Sequence, residues 1–310
     1  PSLVLRLGYG LRRSELPSAD LVISAGGDTI AANAAAARLL GAANIFCGTL
    51  RHAEPEDFSL IVSSYARHEK LPRHIVCLKP TAMDPDALGR PRVIPSFGPG
   101  LPPRLAVLLL GGDSGLFRYT TVEWRALLAF VSAQHAAHGT RWLVSTSRRT
   151  PDWVADAVAQ EQADVAAPSQ PREGAIAEIL DYRQAGPGTL PRLMARADVA
   201  LCTEDSSTMM SETIAARLPV VGVAPLQHSF KPEEADYRAL MLSRQWARFV
   251  PLADLTPDRF LAELSQVAPS SENHLTLLAQ TLAERLPDIV GSGASVPNLT
   301  LGSRALGSEH

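Results

Sequence analysis

Short apolar runs alternate along the chain with longer segments in which apolar residues recur at helical spacing. The apolar runs predict strands at residues 3–7, 21–24, 44–47, 60–62, 75–77, 105–110, 142–145, 199–202, 220–223 and 249–251. The periodic segments predict helices at residues 29–40, 121–138, 151–162, 190–196, 206–217, 233–243 and 275–285. Because strands and helices alternate, we expect an α/β fold with parallel sheets covered by helices on both faces.

The pattern stops between Lys79 and Arg104, where seven prolines fall within one stretch. Proline suits neither a central strand nor a helix interior, so we interpret this stretch as the connection between two Rossmann-like domains that face a cleft. Part of it could also be a loop on that cleft. The predicted division is residues 1–98, 99–290 and a flexible tail at 291–310, with the last helix returning to the first domain.

Composition limits the class of partner. The net charge of −3 gives no basic footprint, so no nucleic acid is expected. The three cysteines, Cys47, Cys77 and Cys202, match neither a zinc site nor a disulfide framework, and we expect them to be buried thiols in a reducing compartment. No apolar run is long enough to span a membrane and no secretory signal is visible. The expected location is cytoplasmic, including a peripheral position at the membrane.

Residues 197–223 carry the most informative pattern, a buried strand followed by a polar loop, a helix and a second apolar strand. Ligands of open α/β sheets bind where a strand's carboxyl end meets the next helix, whose free N–H groups can hold an anion. Asp205, Thr208 and Glu212 have the spacing i, i+3, i+7 and share one helix face. A phosphate at the helix tip and a sugar hydroxyl on Glu212 fit this pattern, and so does an ordinary capped helix with a solvated glutamate.

Two other strand ends have a similar character. Residues 111–115, GGDSG, follow the strongest predicted strand, and their glycines either admit a ligand close to the backbone or form a plain tight turn. Residues 145–151, STSRRTP, place Arg148 and Arg149 before a helix that Thr150 is predicted to cap. Two cations there repel each other and the helix dipole unless an anion binds, although a surface arginine pair is the alternative. Three such strand ends indicate a nucleoside diphosphate or a similar ligand.

Glu204 and Asp205 need partners in this arrangement, because carboxylates beside a phosphate are unfavourable when unpaired. We expect one of them to cap the helix and the other to form an ion pair with Arg148 or Arg149. No cluster of side chains has metal-binding spacing, and no metal is expected.

A second glycine turn lies in the first half of the chain. Gly26, Gly27, Asp28 and Thr29 follow a predicted strand, and their GGDT sequence partly matches the GGDGT loop of NAD and lipid kinases. Ile30 departs from that motif. Phosphoryl transfer by a GGD-loop kinase is therefore the least favoured of the functions considered.

Residues 203–212, TEDSSTMMSE, resemble the TEDS-x-SM-x-SE signature of the ELM1 family, which is related to a plant mitochondrial fission factor. Residues 145–151 are similar to the family's second hallmark, TSRRTP, and residues 105–112 to its strand and glycine turn. The resemblance implies a GT-B glycosyltransferase architecture, with the acceptor side in the first domain and a nucleotide-sugar donor in the second. Family members usually begin with a strand and a Gly-His-x-x-Gln turn, which does not precede Leu3 here, so the first βα unit is expected to be missing.

The resemblance also assigns residues. The helix that carries Glu212 is similar to the donor helix of the peptidoglycan glycosyltransferase MurG, on which a Ser-Glu pair holds the donor ribose. The implied donor-binding residues are Gly111, Gly112, Asp113, Ser114, Ser147, Arg148, Arg149, Thr150, Glu204, Asp205, Ser206, Ser207, Thr208, Ser211 and Glu212. The implied acceptor-side residues are Gly26, Gly27, Asp28 and Thr29. No catalytic residue is assigned.

The leading hypothesis is a metal-independent GT-B-type glycosyltransferase without a cofactor. It would move a sugar from a nucleotide-activated donor to a glycan or a lipid-linked acceptor, with the acceptor at the inner membrane surface as one variant. A non-catalytic interaction protein that retains a vestigial nucleotide site is the main alternative.

Overall fold

A computed structural model of the chain describes residues 1–165, 174–186 and 188–290. These residues form two parallel sheets, with four strands in the first sheet and six in the second, and each sheet is flanked by helices. The expected fold class, two α/β domains with parallel sheets, is confirmed.

The first sheet is formed by the chain up to residue 76. Its elements are α1 (Ser2–Tyr9), β1 (Leu21–Ala25), α2 (Ile30–Leu40), β2 (Ala43–Cys47), β3 (Leu60–Ser63) and β4 (His74–Val76). The strands lie in the order β1-β2-β3-β4, and each neighbouring pair is parallel. Phe46 and Ile61 are partners in register and pack with Ile30 and Phe58 on one face of the sheet.

The second sheet lies between residues 105 and 251. The elements of this part of the chain are β5 (Leu105–Leu109), α3 (Thr121–His138), β6 (Arg141–Ser145), α4 (Asp152–Val165), β7 (Ile176–Leu180), α5 (Tyr182–Ala185), α6 (Leu190–Met194), β8 (Val199–Thr203), α7 (Ser207–Ala215), β9 (Val220–Ala224), α8 (Pro232–Ser243), β10 (Ala247–Pro251) and α9 (Pro257–Leu264). The strand order is β10-β9-β8-β5-β6-β7, and the paired strands are parallel. Every residue of β8 and β9 is buried, because helices cover both faces of the sheet.

The end of the described chain returns to the first sheet. The last two helices are α10 (His274–Arg285) and α11 (Pro287–Val290). Leu278, Leu282 and Leu286 lie at intervals of four residues and pack on the apolar cluster of β2, β3 and β4. The chain therefore passes between the two sheets at residues 77–104 and again before α10. The tail predicted at residues 291–310 lies outside the described residues.

The strand expected at residues 3–7 is wrong, because these residues belong to α1. Leu5 is buried, whereas Leu3 and Leu7 are 66% and 76% exposed. The helix ends at Gly10, whose φ of 68° lies in the left-handed region. A short apolar run cannot by itself distinguish a strand from a helix, so periodicity gave the wrong element here.

The sequence pattern also missed β7 and α9. β7 is an edge strand whose three central residues are only half-buried, and its Glu178 interrupts the apolar run. α9 begins at a recognisable signal, since the Thr256 side chain accepts a hydrogen bond from the Arg259 N–H and Pro257 follows directly. Only the second omission could have been avoided from the sequence.

Candidate functional site

All paired strands of the second sheet are parallel, but the direction in which successive strands are added to the sheet reverses between β5 and β8. From β5 the chain continues outward through β6 and β7, and from β8 it continues in the opposite direction through β9 and β10. The loops at the carboxyl ends of β5 and β8 therefore diverge and leave a crevice, which is where open α/β sheets bind ligands. The GGDSG and TEDSS segments are these two loops, and the TSRRTP segment follows the neighbouring strand β6.

Hydrogen bonds hold the three loops in place. The Gly111 N–H donates to Oγ1 of Thr203 over 2.7 Å. The Thr150 hydroxyl lies 2.8 Å from the Leu110 carbonyl and accepts a hydrogen bond from the Ser147 N–H over 2.8 Å. The sequence predicted Thr150 as a helix cap, but its hydroxyl binds the end of β5 instead, since that buried carbonyl needs a donor.

An ion pair joins the loops that follow β6 and β8. Nη2 of Arg149 lies 2.6 Å from Oδ2 of Asp205, whose side chain has no exposure to solvent. The Tyr119 hydroxyl is 3.5 Å from the other carboxylate oxygen. The expected pairing of one acidic residue with Arg148 or Arg149 is therefore present as Asp205 with Arg149, and this arginine's charge is already neutralised.

Gly111 and Gly112 make this pairing sterically possible. A Cβ atom on Gly111 would overlap the Asp205 carboxylate, and one on Gly112 would overlap the Arg149 carbonyl. From the sequence, the two glycines either admit a ligand close to the backbone or form a plain tight turn. In the structure the space beside them is filled by the chain itself, so their first role is to admit Asp205 and the Arg149 backbone.

Glu204 does not cap α7, although the sequence left it as one of the two candidates for that cap. Its Oε2 accepts a hydrogen bond from Nε of Arg238 over 2.8 Å, while Oε1 is buried and has no hydrogen-bond partner among the described residues. The Arg238 guanidinium also lies over the Phe249 ring, 4.0 Å from its centroid. Burial raises the pKa of the Glu204 carboxyl, although the hydrogen bond from Arg238 opposes the shift. The cap is Ser206, whose hydroxyl accepts from the Met209 N–H over 3.4 Å.

A cavity of about 310 Å³ opens between β6, β7 and the second turn of α7. The polar groups that line it include those of Thr146, Ser147, Tyr182, Thr189 and Glu212. Glu212 is half-buried, and burial raises the pKa of its carboxyl. The volume of this cavity falls at the lower end of the range of small-molecule sites. The sequence analysis missed Tyr182 and Thr189 because it did not identify β7, after which both residues follow.

Other predicted donor residues on α7 have different positions. Thr208 is exposed at the start of α7. The Ser207 hydroxyl accepts a hydrogen bond from Nζ of Lys79 over 2.8 Å. Ser211 is fully buried, and its hydroxyl lies 2.6 Å from both the Ser207 carbonyl and the Tyr237 hydroxyl. Ser211 therefore packs against α8 and does not line the cavity beside Glu212.

The remaining predicted donor residues lie at the rim of the crevice. Asp113 is exposed, and its Oδ1 accepts a hydrogen bond from the Tyr119 N–H over 2.9 Å. Ser114 and Phe117 form a backbone bridge that closes the turn before α3. Arg148 is exposed, and no carboxylate of the described residues lies within ion-pair distance of it.

The predicted acceptor-side residues lie in the first domain. The Thr29 hydroxyl lies 2.9 Å from the Gly26 carbonyl, and the Asp28 carbonyl accepts a hydrogen bond from the Tyr9 hydroxyl over 2.6 Å. Gly27 and Asp28 line an open groove of about 860 Å³ formed by first-domain residues. The structure does not bring these residues together with the Glu212 cavity.

Two other kinds of site are absent from the described ranges. Their histidine, cysteine, aspartate and glutamate side chains form no group of three or more that could hold a metal ion. Their helices do not combine the length and the hydropathy that crossing a bilayer requires.

The family model described as "Mitochondrial fission ELM1" matches residues 5–280. The match covers most of the chain and includes all three loops of the crevice. The chain belongs to the ELM1 family. A search of curated proteins found no sequence that matches this ELM1 family member.

Several solved structures are similar to this ELM1 family member at low identity. The crystal structure of MurG from Acinetobacter baumannii is 13% identical, with 86% of this chain and 73% of that chain covered and a TM-score of 0.45. Methanocaldococcus jannaschii UDP-GlcNAc 2-epimerase, in complex with UDP-GlcNAc and UDP, is 11% identical, with coverages of 90% and 80% and a TM-score of 0.45. E. coli ADP-heptose LPS heptosyltransferase II is 15% identical, with coverages of 84% and 78% and a TM-score of 0.42.

Proposed function

We propose that this ELM1 family member is a GT-B-type glycosyltransferase that binds a nucleotide-activated sugar at the carboxyl edge of its second sheet. It transfers the sugar to a glycan or a lipid-linked acceptor. The observation that carries the proposal is the position of the Glu212 cavity, which opens beside α7 next to the crevice between β5 and β8. That edge of an α/β sheet is where nucleotides bind.

Glu212 suits the ribose of a nucleotide. Its half-buried carboxylate lines the cavity and can accept hydrogen bonds from both vicinal hydroxyls at once. Met209 and Leu190 supply apolar surface in the same cavity, against which a base can pack. A carboxylate within a partly apolar cavity, beside several hydroxyl side chains, is a set of groups that fits a nucleoside.

The diphosphate is assigned to the first turn of α7 and to Arg148. The N–H groups of a helix's first turn have no partner within the helix and attract anions. Arg149 is committed to Asp205, whereas Arg148 is exposed without an ion-pair partner among the described residues. In the proposed reaction these donors stabilise the nucleoside diphosphate as it leaves the sugar, the task that a metal performs elsewhere.

A panel of nucleotides tests the proposal against its alternatives by thermal shift. Stabilisation by UDP, GDP or CMP is expected for the transferase, because one base should fit the Glu212 cavity. Stabilisation by ATP alone would favour a kinase that uses Gly26–Gly27–Asp28. No stabilisation by any nucleotide would favour the non-catalytic interaction protein.

Glu212→Gln is expected to weaken binding of the recognised nucleotide by about 1–2 kcal/mol, the cost of losing a charge-assisted hydrogen bond. The free energy of unfolding should stay within about 0.5 kcal/mol of wild type, because glutamine keeps the shape of the side chain. Isothermal titration calorimetry measures the affinity, and thermal denaturation measures the stability. The 2′,3′-dideoxy nucleotide is the control, since it lacks both hydroxyls and should bind wild type and variant equally weakly. If it separates the two proteins as strongly as the normal nucleotide does, Glu212 is not the ribose ligand.

Arg148→Ala is expected to weaken nucleoside diphosphate binding by about 1.5–3 kcal/mol and nucleoside binding very little, because the guanidinium acts on phosphate. Titration of both ligands gives the comparison. Arg104→Ala is the matched control, because Arg104 is an exposed arginine at the opposite, amino edge of the same sheet. Equal affinity of Arg148→Ala and wild type for the diphosphate would remove Arg148 from the site.

A further inference from the structure

A second cavity, of about 60 Å³, lies on the other side of the first turn of α7. Asp205 and Ser207 line it, so it adjoins the helix tip to which the diphosphate is assigned. Its volume suffices for a few water molecules or for the hydroxyl-bearing edge of one sugar ring. The helix tip thus lies between this cavity and the Glu212 cavity, in the order in which nucleoside, diphosphate and sugar are joined in a nucleotide sugar.

Glu204 gives this cavity an unsatisfied acceptor. Its side chain is 3% exposed and lines the cavity. Oε2 is bonded to Arg238, whereas Oε1 is buried and lacks a hydrogen-bond partner in the described part of the chain. A buried carboxylate oxygen without a donor is costly, and a hydroxyl group entering the cavity would remove that cost.

The walls of the cavity are aromatic. Phe117, Phe230 and Phe249 line it, and the Arg238 guanidinium lies over the rings of Phe230 and Phe249 at 5.4 Å and 4.0 Å from their centroids. A sugar presents hydroxyl groups at its edge and C–H groups on its faces. A carboxylate and a guanidinium set among aromatic rings match both kinds of surface.

The charges favour an uncharged sugar. Three carboxylates line the cavity, those of Glu204, Asp205 and Glu234, and the cation among the lining residues is Arg238. Arg149 neutralises Asp205 from outside the cavity. An acidic sugar would bring a further negative charge close to the buried Glu204 carboxylate, which is unfavourable at low dielectric, whereas the charge of the exposed Glu234 is screened by solvent and by nearby Lys79.

We propose, resting on the proposed function, that this second cavity receives the hydroxyl-bearing edge of the donor sugar, whose hydroxyls donate hydrogen bonds to Glu204, and that the charge of the Glu204 carboxylate disfavours an acidic sugar. Glu204 is then a specificity-determining residue that does not contact the nucleotide. Gly222 leaves room for the Glu204 side chain in this position, because a Cβ atom on residue 222 would lie 2.9 Å from Cγ of Glu204 and displace that side chain.

Glu204→Gln tests the assignment, because glutamine can keep its oxygen on Arg238 and then presents an N–H donor to the cavity where wild type presents an acceptor. The probes are UDP, UDP-glucose and UDP-glucuronate, or GDP, GDP-mannose and GDP-mannuronate if the guanine nucleotide is the one bound. We expect the ratio of the dissociation constants for the neutral nucleotide sugar and the nucleoside diphosphate to rise about tenfold in the variant. Wild type should bind the acidic nucleotide sugar about tenfold more weakly than the neutral one. In the variant the difference between these two dissociation constants should be smaller.

Glu233→Gln is the control for a Glu-to-Gln change close to the cavity, since Glu233 lies beside the lining residue Glu234 in the first turn of α8 but does not itself line the cavity. Phe230→Leu is a second variant that removes an aromatic wall and leaves Glu204 and Arg238 in place, and it should raise the same ratio. Both Glu204→Gln and Phe230→Leu could still bind the nucleoside diphosphate and keep the wild-type ratio of dissociation constants for nucleotide sugar and diphosphate. That result would show that the cavity holds water only, and it would overturn this inference while leaving the proposed function standing. If no nucleotide binds to wild type, the proposed function fails and this inference fails with it.

Discussion

Replacing Arg149 with methionine is expected to lower the free energy of unfolding by about 3–5 kcal/mol, because it leaves a fully buried carboxylate without its cation. The Asp205 side chain has no solvent-exposed surface in the folded protein. Its other neighbour, the Tyr119 hydroxyl, lies 3.5 Å away and is a weak substitute. Methionine keeps most of the volume of the arginine stem, so the loss reports the charge and its hydrogen bond. Chemical denaturation of both proteins at neutral pH provides the measurement.

The neighbouring arginine provides the control for this experiment. Arg148→Met should change stability by less than about 0.5 kcal/mol, since Arg148 is exposed. Arg149→Met combined with Asp205→Asn should recover much of the loss, because the buried group is then neutral. If Arg149→Met is as stable as wild type, water takes the place of the lost cation beside Asp205 and the ion pair does not hold the loops together.

The strand ends of the second sheet could be located from the sequence, but the pairing between them could not. Buried strands followed by GGDSG, TSRRTP and TEDSS segments predict loops at one edge of a parallel sheet, and the structure has them there. The sequence left open which of Glu204 and Asp205 forms an ion pair with Arg148 or Arg149. That choice depends on where two adjacent side chains leave the end of β8, and Arg238, the partner of Glu204, comes from α8 far along the chain.

The helix spacing that placed Asp205, Thr208 and Glu212 on one face holds only in part. α7 begins at Ser207, so Asp205 precedes the helix and turns toward Gly111 and Arg149. Glu212 does reach a cavity, but on a face that it shares with Met209. The spacing rule applies only to residues within the helix. Because Ser206 is the cap, Asp205 lies outside α7 and does not share a helix face with Thr208 and Glu212.

The unpredicted part of the site comes from an unpredicted strand. Tyr182 and Thr189 line the Glu212 cavity and follow β7, whose half-buried residues gave no clear apolar run. Ser211 shows the opposite error. It is adjacent to Glu212 in the chain, and the family resemblance assigns both residues to the ligand, but one residue along a helix turns the side chain by about 100°, here toward Tyr237.

Gly112→Ala is expected to destabilise the protein by about 3 kcal/mol, because the new methyl group meets a backbone carbonyl that cannot rotate away. A Cβ atom at this position would overlap the carbonyl oxygen of Arg149 and lie 2.9 Å from its Cβ. Relief requires the loop after β6 to move away from the end of β5, which also breaks the Thr150 contacts to the Leu110 and Gly111 carbonyls. Arg148 belongs to the same loop, so under the proposed assignment of the diphosphate to Arg148 the nucleotide affinity should fall together with stability.

Gly100→Ala separates this steric effect from the general effect of adding a methyl group. Gly100 is exposed and has no positive φ, and a Cβ atom added to it would have no heavy atom within 4 Å, so its variant should stay within about 0.5 kcal/mol of wild type. Thermal and chemical denaturation of the two alanine variants, with nucleotide titration of each, completes the comparison. A Gly112→Ala protein as stable as wild type, with unchanged affinity, would show that the loops after β5 and β6 are not packed against each other and that neither fixes the position of Arg148.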